Sequence, residues 1–495
     1  MNTSVEEQPL YRAAEVREAD RRAIQEHGIA GYELMQRAAA AVLRALRAHW
    51  PRARRIRVIC GAGNNAGDGY ELARQAGAAG LDARVAWLCA PDRLRGDAAR
   101  AHSAAVAAGV PIGEFTAAFL QDAEVIVDAL LGTGLDRPLA EDWAAAVAAI
   151  NTADRPVLAL DIASGLHADT GAVQGAAVHA ALTVTFIAAK PGLFTGDGPD
   201  YCGAIELADL GVPEAVFRDL PVAAWRMLPE SLPQRLPGPR PRAAHKGRFG
   251  HVLAVGGQPG MGGAARLAAE AAARCGAGLV TVATHPLHAA MLNLERPELM
   301  CAGVAGAADL QPLLARASVI AVGPGLGQGD WGRSLFAALR ECGLPLIVDA
   351  DALNLLARDP LRRDDWVLTP HPGEAARLLG TTAAAVQADR PTAVAALQSR
   401  YGGVAVLKGA GTLIHDGQRC RICSAGNPGM ASGGMGDVLT GVIAGLRAQG
   451  LDAADAAAAG VLLHGLAGDA AARAGGERGL LAGDLLPELR RLVNP

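Results

Sequence analysis

The chain has 495 residues, enough for two or three domains rather than one core. It is 51% hydrophobic but only 4% aromatic, with 61 glycines, so alanine, valine and leucine must fill a parallel sheet wrapped by tightly packed helices. A formal net charge of −4, with the charges scattered, gives no footprint for nucleic acid or an acidic membrane.

No leader-like segment precedes Tyr11, and no apolar run reaches the roughly 18 residues of a membrane span, so the expectation is a cytoplasmic protein with no membrane contact. The first half repeats a short β-branched strand, a Gly-rich turn and an alanine-rich helix. Its strands are predicted at Ile56–Cys60, Arg84–Leu88, Val125–Ala129, Val157–Asp161 and Leu182–Phe186. Such alternation implies parallel βαβ units with function at the carboxyl ends of the strands. The first strand runs into Gly61-Ala62-Gly63-Asn64-Asn65-Ala66-Gly67-Asp68-Gly69, with a helix expected from about Tyr70. The position is that of a dinucleotide loop, but Ala66 replaces the third glycine and polar residues crowd the turn. Its amides could meet phosphate or ribose, and the Asn65 oxygen a hard monovalent cation; plain Asx-turn capping would use the same residues. Asp128 and Asp161 end two further strands, each before a Gly-rich turn. Together they make a converging site for a polyhydroxylated, phosphorylated ligand.

These motifs, with Arg12 to Arg17, Leu34-Met35 and Ala189-Lys190-Pro191-Gly192, resemble the NAD(P)H-hydrate epimerase domain over about Tyr11 to Val212. The resemblance implies a Rossmann-like three-layer αβα domain. It implies hydrate contacts from Asn64, Asn65, Ala66, Gly67, Asp68, Gly132, Thr133, Gly134, Leu135, Asp136, Arg137, Pro138 and Asp161. Asn65, Asp128 and Ser164 would hold K⁺, and Asp161 would be the acid/base as hydroxide leaves and returns. Ala62, Ala66, Ala163, Leu166 and His167 depart from the family's usual residues, but none removes a ligand atom.

Between Leu228 and Gly250, Pro229, Pro233, Pro237, Pro239 and Pro241 sit among arginines. The expectation is a linker over 228–244, separating a domain at 1–227 from a different one at 245–495.

In the second half strands are predicted at His251–Val255, Gly278–Ala283, Val319–Val322, Leu346–Asp349, Trp366–Leu368 and Val404–Lys408, with a helix at Ala264–Arg274. The pair Cys420-x-x-Cys423 falls in an expected edge strand; it lacks the second pair of a zinc knuckle and the helix start of a redox motif. Gly-rich turns follow at 256–263 and 323–327. Asp349 and Asp351, then His371 and Glu374, then Lys408 to Thr412 follow other strands. The run Gly426 to Asp437 precedes an apolar helix at Val438–Leu446, a ready cradle for an oxyanion. A carboxylate there suits a base in phosphoryl transfer, although Asp437 could also be an N-cap, Asp349 and Asp351 helix caps, His371 structural and Lys408 a surface charge. Their shared placement at strand ends favours a nucleotide-dependent site.

This is the pattern of ribokinase-like phosphotransferases, and the wording resembles the ADP- or ATP-dependent NAD(P)H-hydrate dehydratase over about Arg242 to Leu492. The resemblance implies a second αβα domain in which Ala265, Gly327, His371 and Asp437 contact the hydrate. Lys408, Gly409, Ala410, Gly411, Thr412 and Gly436 would contact ADP or ATP. Asp349, Asp351 or Glu374 could hold Mg²⁺ through water, and Asp437 is the expected base. A homo-oligomer acting on NADH hydrate and NADPH hydrate is expected. The alternatives are a small-molecule kinase with a nucleotide-sensing N-terminal domain, or a non-catalytic first half.

Overall fold

Strand–helix alternation produces two separate sheets. The computed structural model describes residues 7–494. They fall into one unit of Pro9–Ala224 and another of residues 225–494 with Glu7 and Gln8.

The first unit holds seven parallel strands in the order Ile112–Glu114, Asp82–Trp87, Arg55–Cys60, Val125–Ala129, Val157–Leu160, Leu182–Phe186, Ala204–Ala208. The five expected strands appear within two residues of their expected ends. The two outermost were not legible because both are largely exposed and lack an apolar run. Ile56, Val58 and Cys60 join a cluster with the helices Gly31–His49 and Asn64–Ala78. Ile59 and Ile126 pack instead with Val147 and Ile150 of Glu141–Thr152, which makes three layers. The chain order reverses between Arg55–Cys60 and Val125–Ala129, where an α/β sheet opens a crevice.

The helix expected from Tyr70 starts six residues earlier, at Asn64. Gly67 and Gly69 suggested a loop, but they serve packing. A Cβ on Gly69 would lie 2.6 Å from the Cβ of Ala129, and one on Gly67 2.5 Å from Cε of Met35. The helix therefore lies tight against sheet and neighbour.

The other sheet has eleven strands, ordered Glu7–Leu10, Ala224–Met227, Cys420–Cys423, Thr412–His415, Val404–Leu407, Trp366–Leu368, Leu346–Val348, Val319–Val322, His251–Val255, Leu279–Thr284, Met300–Gly303, and from Trp225 onward its strands lie in the second unit. The seven strands from Val404–Leu407 to Met300–Gly303 run parallel, and the two after the Gly409–Gly411 turn pair antiparallel. Cys420–Cys423 is not an edge: Ala224–Met227 pairs with its outer side. Both cysteines are free, and burial pushes their thiols up to about 12 and 11, so neither is a ready thiolate.

The proline stretch is partly structured. Pro229 and Pro233 open short helical turns, where a missing N–H costs nothing, and Leu232 and Leu236 are buried in the unit's core. Helices Met435–Ala448 and Gly262–Arg274 pack closely, since a Cβ on Gly441 would lie 2.0 Å from the carbonyl oxygen of Ala268. Among the described residues no helix is long and apolar enough to cross a membrane.

Candidate active sites

In the first unit a cavity of about 380 Å³ lies at the crevice where the chain order reverses, walled by Asn64, Asn65, Asp68, Gly132, Thr133, Gly134, Asp161 and Lys190, with Arg17 and Asp20 from the helix Ala13–Gln25. The strand before Asp161 stops at Leu160, and Asp161 takes a left-handed φ of 67°. That turn sets its carboxylate against the end of the next strand. Oδ1 accepts from Thr185 Oγ1 at 3.3 Å, from the Phe186 N–H at 3.2 Å and from the ammonium of Lys190. Lys190 is fully buried, and it also donates to Thr185 Oγ1 (2.9 Å) and the Phe186 carbonyl (3.1 Å). Across the cavity, burial pushes the Asp68 carboxyl well up, helped by the negative charges of Asp161 and Asp20.

Beneath the cavity, Asp128 accepts from Ser164 Oγ (2.6 Å), the Ser164 N–H (2.8 Å) and the Leu130 N–H (3.1 Å). Burial nevertheless pushes its carboxyl up to about 6. The amide of Asn65 is buried, and among the described residues neither its oxygen nor its nitrogen has a hydrogen-bond partner. An orphaned amide oxygen near a buried carboxylate and a hydroxyl is a donor set that fits a large monovalent cation.

Not every expected residue reaches this cavity. Ala66 and Gly67 are buried in the first helical turns, where both N–H groups bond back to the Gly63 carbonyl, so neither can offer an amide to a ligand. Leu135 lies outside the cavity wall, as do the exposed Asp136, Arg137 and Pro138. In the sequence Lys190 carries no signal beyond its place in the Ala189-Lys190-Pro191-Gly192 motif. Its role was hidden because its partner Asp161 is 29 residues away.

In the second unit the carboxyl ends of parallel strands gather the other site. Lys408 follows Val404–Leu407 and donates to Asp349 Oδ1 at 2.6 Å, with Glu374 Oε2 at 3.9 Å. Burial works against its charge, but Asp349, Glu374 and Asp437 hold its pKa up. Asp349 precedes the helix Ala350–Arg358 without capping it; its Oδ2 instead accepts from Thr440 Oγ1 at 2.8 Å. Thr440 and Asp437 share the helix Met435–Ala448, which begins before the expected Val438. Asp437 therefore stands in the first helical turn rather than at the N-cap, which is Gly434. Burial, reinforced by Asp349 and Glu374 and opposed by Lys408, pushes its carboxyl up to about 6.

His371 does cap a helix: Nδ1 accepts from the Gly373 N–H, and Glu374 accepts from the His371 N–H at 2.8 Å. It stays half-exposed, and burial, Lys408 and Arg377 lower its pKa, so the ring is neutral at pH 7. Asp351 does not join Asp349 and Glu374. It turns away to accept from the Gly327 N–H (2.9 Å) and Gln328 Nε2 (3.1 Å). It shapes the Gly327 turn, where a Cβ would lie 1.9 Å from Gln258 Oε1. Ala265 is buried beside the preceding turn, 3.5 Å from the place of a Cβ on Gly257. Among the described residues no group of three or more His, Cys, Asp or Glu is arranged to hold a metal ion directly.

Gly409 (φ 135°) and Gly411 (φ 60°) shape the hairpin turn after Lys408, and Thr412 Oγ1 closes it on the Gly409 carbonyl at 2.9 Å. Below it the fully buried Arg390 donates to the Leu407 and Lys408 carbonyls. Asp469, on the helix Ala453–Gly475, fastens the start of the glycine run, accepting from the Gly426 N–H and Asn427 Nδ2, each at 3.0 Å. Neither support was foreseen.

Comparison with known proteins matches both halves. Residues 252–491 fit the family described as NAD(P)H-hydrate dehydratase, and residues 31–192 the one described as YjeF-related protein N-terminus. The bifunctional NAD(P)H-hydrate repair enzyme of Coxiella burnetii is 54% identical over 491 residues, covering 98% of this chain and 99% of its own. That of Escherichia coli K12 is 43% identical over 488 residues, covering 98% and 94%. A solved ribokinase-like superfamily protein from Enterococcus faecalis is 30% identical with a TM-score of 0.51, over 54% of this chain and 94% of that one. With both halves matched in order and the relatives aligned along nearly their whole length, this chain belongs to the family of bifunctional NAD(P)H-hydrate repair enzymes.

Proposed function

We propose that the chain repairs hydrated NADH and NADPH, interconverting the R and S hydrates in the first unit and dehydrating the S form in the second at the expense of ADP or ATP. The observation that carries the second step is Asp437 in the first turn of Met435–Ala448, its carboxyl pushed up to about 6 beside Lys408. Hydroxide is a poor leaving group. Asp437 takes the proton of the ring hydroxyl as its oxygen attacks the terminal phosphorus, and the nucleotide leaves one phosphate shorter. The ring nitrogen lone pair then expels phosphate, and loss of a proton from the adjacent carbon restores the dihydronicotinamide.

Gly436 and the turn from Lys408 to Thr412 would meet the nucleotide phosphates, while Ala265, Gly327 and His371 would face the hydrate. Mg²⁺ accompanying the phosphates would screen their charge and would meet Asp349 and Glu374 through water, since Lys408 already engages both. In the first unit Asn64, Asn65, Asp68, Gly132, Thr133 and Gly134 would bind the hydrate, with Asp161 as acid/base. Asn65, Asp128 and Ser164 would hold K⁺, which supplies a fixed positive charge beneath the ligand.

The test is recovery of NADH absorbance from acid-hydrated NADH with ADP and with ATP. Recovery of both epimers is expected. No recovery with either nucleotide would end the dehydratase reading, and recovery of the S fraction alone would end the epimerase reading.

A further inference from the structure

The first unit contains an ammonium group that the reading above gives no task. Lys190 is completely buried, and its three N–H bonds have three acceptors: Asp161 Oδ1, Thr185 Oγ1 and the Phe186 carbonyl. Among the described residues the donors to the Asp161 side chain converge on that same Oδ1, since Thr185 Oγ1 and the Phe186 N–H join Lys190 there. Oδ2 takes no hydrogen bond from the described residues. It lies 3.6 Å from the place a Cβ on Gly132 would take, at the cavity wall. A buried cation whose three donors are all engaged cannot swing out to meet a ligand, so its effect must pass through the carboxylate.

We infer that Lys190 is the positioning residue of the epimerase site: it clamps Asp161 by Oδ1 and leaves Oδ2 as the one oxygen that exchanges a proton with the hydrate. This rests on the epimerase reading. In the step, the Oδ2 carboxylate first takes a proton from solvent; the carbon–oxygen bond at the hydrated ring carbon then breaks as Oδ2 gives that proton to the departing oxygen, which leaves as water. The ring nitrogen lone pair takes up the electron demand. Water then adds to the opposite face and returns a proton to Oδ2. The Lys190 N–H groups face the carboxylate whenever the proton is away, which lowers the cost of forming that charge.

The experiment measures R-to-S interconversion in the full-length protein. Lys190→Met keeps the length of the side chain and removes the charge, and kcat should fall about 100-fold with KM within about threefold. Dehydration of the S hydrate by the same sample is the internal control, since Lys190 does not touch that site. In an Asp161→Asn background, Lys190→Met should remove little more, because a residue acting through Asp161 has nothing left to position. Should Lys190→Met fail to fold, Thr185→Val removes the hydroxyl that both groups share and should cost about tenfold in kcat. Retention of kcat within about threefold in whichever single variant folds, or an undiminished loss on top of Asp161→Asn, would overturn the inference. Absence of interconversion in the unmodified protein would instead refute the epimerase reading itself.

Discussion

A Cβ on Gly436 would lie 3.1 Å from the ammonium nitrogen of Lys408, close enough that a side chain there would displace the lysine tip by a few tenths of an ångström. The same Cβ would lie 3.6 Å from Asp349 Oδ2. Gly436 thus lets a helix N-terminus and a buried ion pair share one corner, which is what a phosphate cradle needs.

Gly436→Ala should therefore separate stability from activity. The residue sits in regular helix with no positive φ, where alanine gains up to about 1 kcal/mol over glycine. The melting temperature should hold or rise slightly, whereas kcat/KM for dehydration should drop about tenfold as Lys408 is pushed from Asp349. Calorimetry and NADH recovery on one sample would check both. Full activity would mean that the ammonium shifts without consequence.

The pH profile of dehydration follows from Asp437. A base must be ionised, and this carboxyl is protonated below about 6. Activity should therefore be lost as pH falls through about 6, where an unshifted aspartate would remain a base to near 4. The apparent value belongs to the cluster with Asp349 and Glu374 rather than to one group. Asp437→Asn should abolish NADH recovery at every pH while R-to-S interconversion continues. Loss of both activities would argue against two independent sites.

Asp128 makes a prediction about cations. Its folded carboxyl stands at about 6 against an ordinary 3.8, so the folded state holds this proton more tightly than the unfolded chain. Stability present at low pH is thus lost as pH rises from near 4 through about 6, by up to about 3 kcal/mol. A cation bound there returns it. K⁺ should raise the melting temperature of the first unit by about 3–6 °C at pH 7.5 and scarcely at pH 4.5, relative to choline at equal ionic strength. Equal effects of K⁺ and choline at pH 7.5 would remove the site.

Asp469 is not among the expected substrate contacts, yet it holds the Gly426 N–H and the Asn427 amide. Asp469→Ala should loosen the turn ahead of the helix and reduce dehydration about tenfold, leaving epimerisation unchanged. A rate within twofold of the unmodified protein would show that the glycine run keeps its shape unaided.

The central parallel strands were readable because each joins a buried β-branched run to a Gly-rich turn, and the residues of chemical interest sit in those turns. Asp161, Asp349 and Lys408 stand out that way, and Asp437 through the glycine run ahead of its apolar helix. What was missed depended on contacts distant in sequence. Glycine in 64–69 looked like loop, yet Gly69 faces the Ala129 methyl and Gly67 faces Met35, so tertiary packing decided in favour of helix. Asp351 read as the equal of Asp349, but the Gly327 N–H claims it. Lys190, Arg390 and Asp469 act through partners that no local pattern reveals. The proline stretch misled because proline is excluded from helix interiors but welcome at helix starts.

The strand Glu7–Leu10 sits at the margin of the eleven-stranded sheet, and the Glu7 carboxylate joins Arg235 at 2.8 Å and Arg421 at 3.0 Å. All three side chains are nearly buried. Dissecting the protein by a single cut near residue 224 would thus leave the nucleotide-handling half incomplete, with two guanidinium groups deprived of a shared anion. A dehydratase fragment would be sounder with Glu7–Leu10 grafted back through a short linker, or with both arginines neutralised. Along the chain, then, the first unit interrupts its neighbour between Gln8 and Trp225 rather than simply preceding it.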